Sequence, residues 1–188
     1  MLKYLKNTNI WFDLDEVLSD TVRHFLEIYS KKWLITLDRE NCTSYRLEWI
    51  EWECWQEFIS SGEQARAQPI DWAFDVVSSL KNNWNKIFVI TGRHEFEKDI
   101  SVRWLDSYFP NLIEDIIFIN HSLPTRKNKS EFIKDLWINV FVDDYYDYCT
   151  DIAQTWINVY MPTKPWNVHY QSLPQNIIRI DNLKDLVF

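Results

Sequence analysis

Short apolar runs recur along the chain, and each one ends in polar residues. They are rich in Ile, Val and Phe with little alternation of polar and apolar positions, which is typical of strands buried on both faces. We expect strands at Asn9–Leu14, Lys86–Ile90, Asp115–Ile119, Ile138–Val142 and Trp156–Tyr160, and a weaker one at Asn176–Ile180. Helical spacing appears between them, as in Glu95–Phe109 and in a run that begins at Ser130. Strands that alternate with helices predict an α/β fold with a parallel sheet.

The long segment between the first two strands interrupts this alternation. Residues 20–85 contain no convincing strand, although a direct crossover needs far fewer residues. Helices are predicted at Thr21–Trp33, Arg46–Ile59 and Asp71–Leu80, and the last of these is expected to return the chain to the sheet. We therefore predict a core formed by residues 1–19 and 69–188, with residues 20–68 as a helical cap above the carboxyl edge of the sheet.

Composition excludes several classes of protein. A net charge of −8 argues against a nucleic-acid polymer as partner, and no apolar run reaches the roughly 18 residues that span a membrane. The N-terminus does not resemble a signal peptide. The chain has only 2 glycines, which excludes glycine-rich phosphate loops. Its 3 cysteines form no CxxC pair, which favours a reducing cytoplasm, and we expect a monomer or a homodimer.

Polar side chains follow the predicted strands, at the edge where an open parallel sheet binds its ligands. They are Asp13 and Asp15 at the end of the first strand, Thr91, Gly92 and Arg93 after the second, and Asp143 and Asp144 after the fourth. A basic stretch, residues 126–129, precedes the fourth strand. The sequence therefore predicts four carboxylates, a hydroxyl and a lysine at one edge of the sheet.

Four neighbouring carboxylates need a counter-charge. Two like charges about 4 Å apart repel by about 4 kcal/mol at an effective dielectric constant of about 20, and one lysine cannot offset this. Mg²⁺ can, because it prefers carboxylate, water and phosphate oxygens. A carboxylate can also attack phosphorus, a second can move a proton, and hydroxyl, amide and lysine groups can hold phosphoryl oxygens. This set of residues favours phosphoryl transfer.

The sequence resembles the haloacid dehalogenase (HAD) superfamily in four motifs. They are Asp13-Leu14-Asp15 in WFDLDEVLSDT, Thr91 in FVITGR, Lys129, and Asp143-Asp144 in VFVDD. Within the superfamily it is similar to the 5′-nucleotidases and 5′(3′)-deoxyribonucleotidases, in which a lysine lies fourteen residues before the acidic pair and a Pro-Trp-Asn turn follows, here Pro165-Trp166-Asn167. The resemblance implies a three-layer Rossmann-like core with a small helical cap inserted after the first strand.

The resemblance also implies Mg²⁺-dependent hydrolysis of a small phosphorylated substrate, with a nucleotide favoured. Asp13 would attack phosphorus, and Asp15 would protonate the leaving alcohol and then activate water. The substrate would contact Thr91, Gly92, Arg93 and Lys129. The metal would be held by Asp13, the carbonyl of Asp15 and Asp144, with Asp143 in direct or indirect contact.

Several alternatives remain open from the sequence. Lys127 competes with Lys129 for the lysine role, and Glu16 stands where the superfamily usually has glycine. The substrate could instead be a sugar phosphate, or the chain could bind a nucleotide or a protein partner without turnover.

Seven of the 11 tryptophans form two groups. The first group, expected to pack in the core, comprises Trp11, Trp104, Trp137 and Trp156. The second recurs every three residues in the predicted cap, as Trp49, Trp52 and Trp55. On a helix this spacing forms one stripe, which is either the core of the cap or an aromatic wall for a nucleobase.

Overall fold

The computed structural model describes residues 2–33, 39–43, 52–121 and 128–188. Its strands form a single parallel sheet in the order β3-β2-β1-β4-β5-β6. The strands are β1 (Asn9–Phe12), β2 (Lys86–Thr91), β3 (Asp115–Phe118), β4 (Val140–Val142), β5 (Asn158–Pro162) and β6 (Ile177–Ile180). The structure confirms the predicted parallel α/β fold, and strand ends differ from the prediction by no more than about two residues.

Helices cover both faces of this sheet. They are α1 (Thr21–Trp33), α2 (Trp52–Ser61), α3 (Ala73–Asn82), α4 (Lys98–Tyr108), α5 (Lys129–Asp135) and α6 (Tyr146–Ala153). Successive residues of β1 point to opposite faces: Phe12 joins the buried cluster that contains α3 and α4, whereas Trp11 joins the one that contains α5 and α6. The predicted three layers are therefore present. Within the described ranges, no helix is long and apolar enough to cross a membrane.

The path of the chain makes β1 the centre of the sheet. After β1 it adds β2 and β3 on one side, and then returns to add β4 and the remaining strands on the other. Phe12 pairs with Val142 at the carboxyl ends of β1 and β4. The residues that follow these two strands therefore meet where the strand order reverses, which is the usual ligand site of such a sheet.

A helical insertion lies between β1 and α3. Its two ends are paired, because the amide of Asp20 donates to the carbonyl of Gln68 at 2.8 Å and the amide of Ile70 donates to that of Leu18 at 2.8 Å. A buried group that we call the insertion cluster contains Val22, Phe25, Leu26, Cys42, Phe58 and Trp166.

Predictions for this part of the chain can be compared only in part. The predicted helix Thr21–Trp33 is α1 and is confirmed. The predicted helix Arg46–Ile59 is described only from Trp52, as α2, and ends at Ser61. Trp49 lies outside the described residues, as do the side chain of Trp52 and the competing Lys127.

The core prediction was right for two tryptophans and wrong for two. Trp11 and Trp104 are buried, whereas Trp137 and Trp156 are 81% and 90% exposed. Both exposed residues follow a helix and have the left-handed φ values of 52° and 70° that end helices. The amide of Trp156 closes such a turn on the carbonyl of Ala153 at 3.1 Å. Apolar character predicted burial, but the backbone turn directs these side chains into solvent.

Replacing Trp156 with glycine is expected to stabilise the protein. The left-handed conformation costs an L-residue about 1–2 kcal/mol, and the exposed indole contributes little burial in return. Glycine has more conformational entropy in the unfolded chain, which offsets part of this relief of strain. The free energy of unfolding should therefore rise by about 0.5–1 kcal/mol and Tm by about 1–4 °C. Thermal unfolding followed by circular dichroism measures it. The control Gln154→Gly, at an exposed residue with φ −63°, should lower Tm, and a fall in Tm for Trp156→Gly would contradict the strain argument.

Candidate active site

Lys129 joins two of the predicted carboxylates. It opens α5, is fully buried, and its Nζ lies 2.7 Å from Asp13 Oδ1 and 2.7 Å from Asp143 Oδ2. The ring of Tyr148 lies 4.6 Å from the same nitrogen. Burial alone would lower the pKa of Lys129, but Asp13 and Asp143 raise it above the ordinary value. Lys129 therefore stays charged between the ends of β1 and β4.

Asp13, Asp143 and Asp144 form a tight group of buried carboxylates. Each offers an oxygen within 4.8 Å of the others. Burial raises the pKa of Asp13 to about 7, against the opposing charge of Lys129. Burial and the charge of Asp143 raise the pKa of Asp144 well above its ordinary value. One lysine does not neutralise this group, so a further positive charge would stabilise the three carboxylates together.

One buried oxygen of Asp144 lacks a hydrogen-bond partner among the residues that the structure describes. Its Oδ2 accepts a hydrogen bond from the indole Nε1 of Trp166 at 2.7 Å. Its Oδ1 is buried and has no hydrogen-bond partner among the described residues. Both oxygens of Asp143, by contrast, are engaged, by Lys129 and by the amide of Tyr145 at 2.9 Å. An unpartnered carboxylate oxygen beside two other carboxylates suits a hard divalent cation such as Mg²⁺.

Asp15 forms a separate ion pair with Arg93. The guanidinium donates from Nη2 to Oδ1 at 2.6 Å and from Nε to Oδ2 at 2.9 Å. The hydroxyl of Thr21 also donates to Oδ1, at 2.6 Å. Burial opposes the ionisation of Asp15, but Arg93 and these hydrogen bonds hold its pKa below the ordinary value. In this conformation Asp15 is a carboxylate and carries no proton to donate.

Thr91 and Gly92 connect β2 to this ion pair. Thr91 is fully buried, and its Oγ1 accepts a hydrogen bond from the amide of Arg93 at 3.2 Å. A Cβ on Gly92 would lie 3.5 Å from the Cβ of His121, an ordinary contact, so packing at this point does not require glycine. The structure thus places the hydroxyl of Thr91 at the end of the strand beside β1.

Glu16, the departure from the superfamily pattern, is buried in a left-handed turn with φ 63°. Its Oε1 accepts from the amide of Val22 at 2.7 Å at the start of α1, and its Oε2 lies 3.6 Å from Arg39 Nη1 and 3.8 Å from Lys164 Nζ. Burial raises the pKa of Glu16 to about 7, against the opposing charge of Lys164. The turn that glycine would favour is thus retained, and the carboxylate contributes to the packing of the insertion against the core.

Trp166 and Asn167 contact the acidic group, and sequence reasoning did not assign them to the site. The side-chain amide of Asn167 donates to the carbonyl of Asp144 at 2.8 Å and to that of Pro162 at 2.8 Å. From the sequence, the Pro165-Trp166-Asn167 turn contributes only to the family resemblance. A tryptophan is typical of packing and an asparagine is typical of a turn. Only the contacts of Trp166 and Asn167 therefore show that these two residues hold Asp144.

The chain matches the family model described as 5′ nucleotidase, deoxy (pyrimidine), cytosolic type C protein, over residues 7–171. The chain belongs to this family. As a member of this 5′-nucleotidase family it is a phosphoric monoester hydrolase, and the expected resemblance to the nucleotidases is confirmed. Its fold is also that of a HAD hydrolase of known structure.

Individual relatives agree with this assignment. A Bacillus cereus protein described as "Putative nucleotidase" is 25% identical over 93% of this chain and 94% of its own length. The "putative HAD-hydrolase" of Bacillus subtilis, solved bound to magnesium, has a TM-score of 0.65 at 14% identity and covers 97% of both chains. A HAD-superfamily hydrolase from Geobacter sulfurreducens has a TM-score of 0.61 at 16% identity, with 96% of both chains covered. The two solved structures establish a shared fold.

Proposed function

We propose that this nucleotidase-family protein hydrolyses nucleoside or deoxynucleoside monophosphates through an aspartyl-phosphate, with Mg²⁺ as cofactor. The observation that carries the proposal is the buried contact between Lys129 and Asp13 beside the free Oδ1 of Asp144. In this proposal Asp13 serves as the nucleophile, Lys129 as a fixed cation and Asp144 as a ligand for a divalent ion. The family match and the nucleotidase name of the Bacillus cereus relative support the choice of a nucleotide.

The metal would be held by Asp13, Asp144 and the main-chain carbonyl of Asp15. In this proposal Asp143 holds Lys129 in place, because one of its oxygens contacts Lys129 and the other accepts a hydrogen bond from the amide of Tyr145. A bound Mg²⁺ would offset the charge of the carboxylates and of the phosphate.

The chemistry follows from the remaining side chains. A carboxylate oxygen of Asp13 forms a bond to phosphorus as the bond from phosphorus to the leaving oxygen breaks, and the leaving oxygen takes a proton from Asp15. Asp15 then takes a proton from water, whose oxygen attacks phosphorus and releases Asp13. Lys129 stabilises the phosphoryl oxygens throughout.

In this scheme Arg93 controls when Asp15 can carry a proton. Asp15 can donate a proton only after its ion pair with Arg93 opens, because that pair keeps the pKa of Asp15 low. A phosphoryl dianion offers the guanidinium another partner of suitable geometry. Substrate binding would thereby free Asp15 to be protonated.

We also propose that residues 20–68 act as a cap over the site, attached to the core formed by residues 1–19 and 69–188. Two features support these boundaries. The chain leaves and re-enters the core at the backbone hydrogen bond between Asp20 and Gln68. Thr21, the first residue of α1, donates a hydrogen bond to the carboxylate of Asp15. A cap in this place would select the leaving group, while the core supplies the chemistry.

Trp55, the described member of the aromatic stripe, is expected to stabilise the cap and not to bind a base. Its ring stacks on Phe25 with centroids 3.8 Å apart and meets Phe58 edge-on at 5.9 Å. Trp55→Ala should cost about 2 kcal/mol and lower Tm by about 4–8 °C, with equal effects on nucleotide and p-nitrophenyl phosphate hydrolysis. Trp84→Ala, which removes a 78% exposed indole, is the control and should change neither. A KM increase of about tenfold for the nucleotide alone would instead show stacking on the base.

A substrate screen tests the proposed function. Purified protein with Mg²⁺ is assayed for phosphate release from ribo- and deoxyribonucleoside 5′-monophosphates and from a matched set of sugar phosphates. We expect the highest kcat/KM on a nucleotide, and complete loss after EDTA that Mg²⁺ restores. Asp99→Asn, which changes an exposed carboxylate on α4, should behave as wild type. A sugar phosphate as the best substrate, or activity unaffected by EDTA, would contradict the proposal.

A further inference from the structure

Trp166 links the acidic group of the core to the helical insertion. Its indole is 4% exposed and belongs to the insertion cluster, together with Phe25 and Leu26 of α1 and Phe58 of α2. At the same time its Nε1 donates to Asp144 Oδ2 at 2.7 Å. One side chain is therefore packed among residues of the insertion and hydrogen-bonded to a carboxylate of the site.

The hydrogen bond fixes which oxygen of Asp144 is available. Oδ2 is taken by the indole, while Oδ1 is buried without a partner among the described residues. The main chain of Asp144 is held as well, because Asn167 donates to its carbonyl at 2.8 Å. The turn after β5 thus anchors Asp144 at both its backbone and its side chain and leaves Oδ1 without a hydrogen-bond partner among the described residues.

We propose that Trp166 is a positioning residue for Asp144 in binding Mg²⁺, and that it is the point at which packing of the insertion acts on the metal site. This inference rests on the proposed function, in which Asp144 is a metal ligand. Without the indole N–H, Oδ2 would lose its donor in a buried place and the carboxylate could rotate, so both oxygens would compete for other partners. Hydrogen bonds that orient metal ligands commonly change metal affinity by about 10–100-fold.

The test compares two buried tryptophans. Trp166→Phe removes the N–H and keeps most of the ring. The matched control is Trp104→Phe, because Trp104 is 3% exposed and its Nε1 donates at 2.8 Å to the carbonyl of Ala67, which is no part of the acidic group. Calorimetric titration of the substrate-free proteins with Mg²⁺ should show a Kd raised about tenfold or more in Trp166→Phe. Trp104→Phe should bind Mg²⁺ as wild type does, although both variants lose one hydrogen bond.

A measurement on the wild-type chain covers the case in which Trp166→Phe fails to fold. In ¹⁵N-labelled protein, the indole N–H resonance of Trp166 should move on addition of Mg²⁺, and that of Trp104 should not. No movement of the Trp166 resonance, an unchanged Kd in Trp166→Phe, or an equal loss in both variants would overturn the inference.

Failure of the proposed function would look different. It would appear in the wild-type protein, as the absence of nucleotide hydrolysis in the presence of bound Mg²⁺, and would leave the difference in Mg²⁺ affinity between the two variants intact. If wild-type protein does not bind Mg²⁺ at all, both the metal role and the positioning role are overturned.

Discussion

The Asp13→Asn variant is expected to fold and to lose hydrolysis of every phosphomonoester that wild-type protein accepts. Asparagine has nearly the shape of aspartate, and its carbonyl oxygen can still accept the hydrogen bond that Lys129 donates to Asp13 Oδ1 at 2.7 Å. Lys129 also keeps Asp143 as its charged partner. An amide oxygen is too weak a nucleophile to attack phosphorus, so kcat should fall by about 10⁴-fold or more.

Release of p-nitrophenolate from p-nitrophenyl phosphate measures the loss without any assumption about the natural substrate. Thermal melting checks that Tm stays close to that of wild type, and Asp99→Asn again serves as a control. Mass spectrometry of acid-quenched wild-type protein should show one added phosphate, which is absent in Asp13→Asn. Retention of full activity in the variant would exclude a covalent intermediate on Asp13.

The Asp15→Asn variant is expected to affect substrates unequally. A general acid matters most for a poor leaving group, and an aryl oxide leaves with little protonation. We therefore expect kcat on a nucleoside monophosphate to fall by about 10²–10⁴-fold, with a smaller loss on p-nitrophenyl phosphate. Asp13→Asn is the matched comparison, because loss of the nucleophile should affect both substrates equally.

The contacts of Asp15 sharpen this test. In Asp15→Asn the guanidinium of Arg93 loses the carboxylate that it contacts at 2.6 and 2.9 Å. If Asp15 only held Arg93 in place, the variant would weaken phosphate binding and raise KM for both substrates together. Equal losses would thus indicate that Asp15 shapes the site without transferring a proton.

Much of the candidate site could be predicted because its residues follow strands. Parallel strands bring their carboxyl ends to one edge, so a polar residue directly after a buried apolar run has a predictable place. This is why Asp13, Thr91 and Asp143 lie at the same edge of the sheet. Lys129 could not be chosen over Lys127 by this rule, because it precedes a strand and opens a helix; the ion pairs of Lys129 show that it lies in the site, and Lys127 lies outside the described residues.

The contacts that give each carboxylate a different character could not be predicted in this way. The ion pair of Asp15 with Arg93 joins residues 78 positions apart, and the hydrogen bond from Trp166 to Asp144 joins residues 22 apart on different elements. The rule of strand ends indicates the edge of the sheet at which Asp15 and Arg93 lie, but no spacing in the chain indicates which side chains bond to each other. These two contacts decide that Asp15 is held as a carboxylate and that Asp144 keeps one oxygen free.

Local patterns along the chain are enough to predict the layers of this protein and the edge of the sheet at which its polar residues meet. That information is local, because burial on both faces requires continuous apolar runs and the end of a run marks the end of a strand. By contrast, the exposure of side chains at helix ends, such as Trp156, and the hydrogen-bond partners of each carboxylate follow only from the folded chain. Those outcomes depend on backbone turns and on partners distant in the chain, and a linear pattern of polar and apolar residues does not specify either of them.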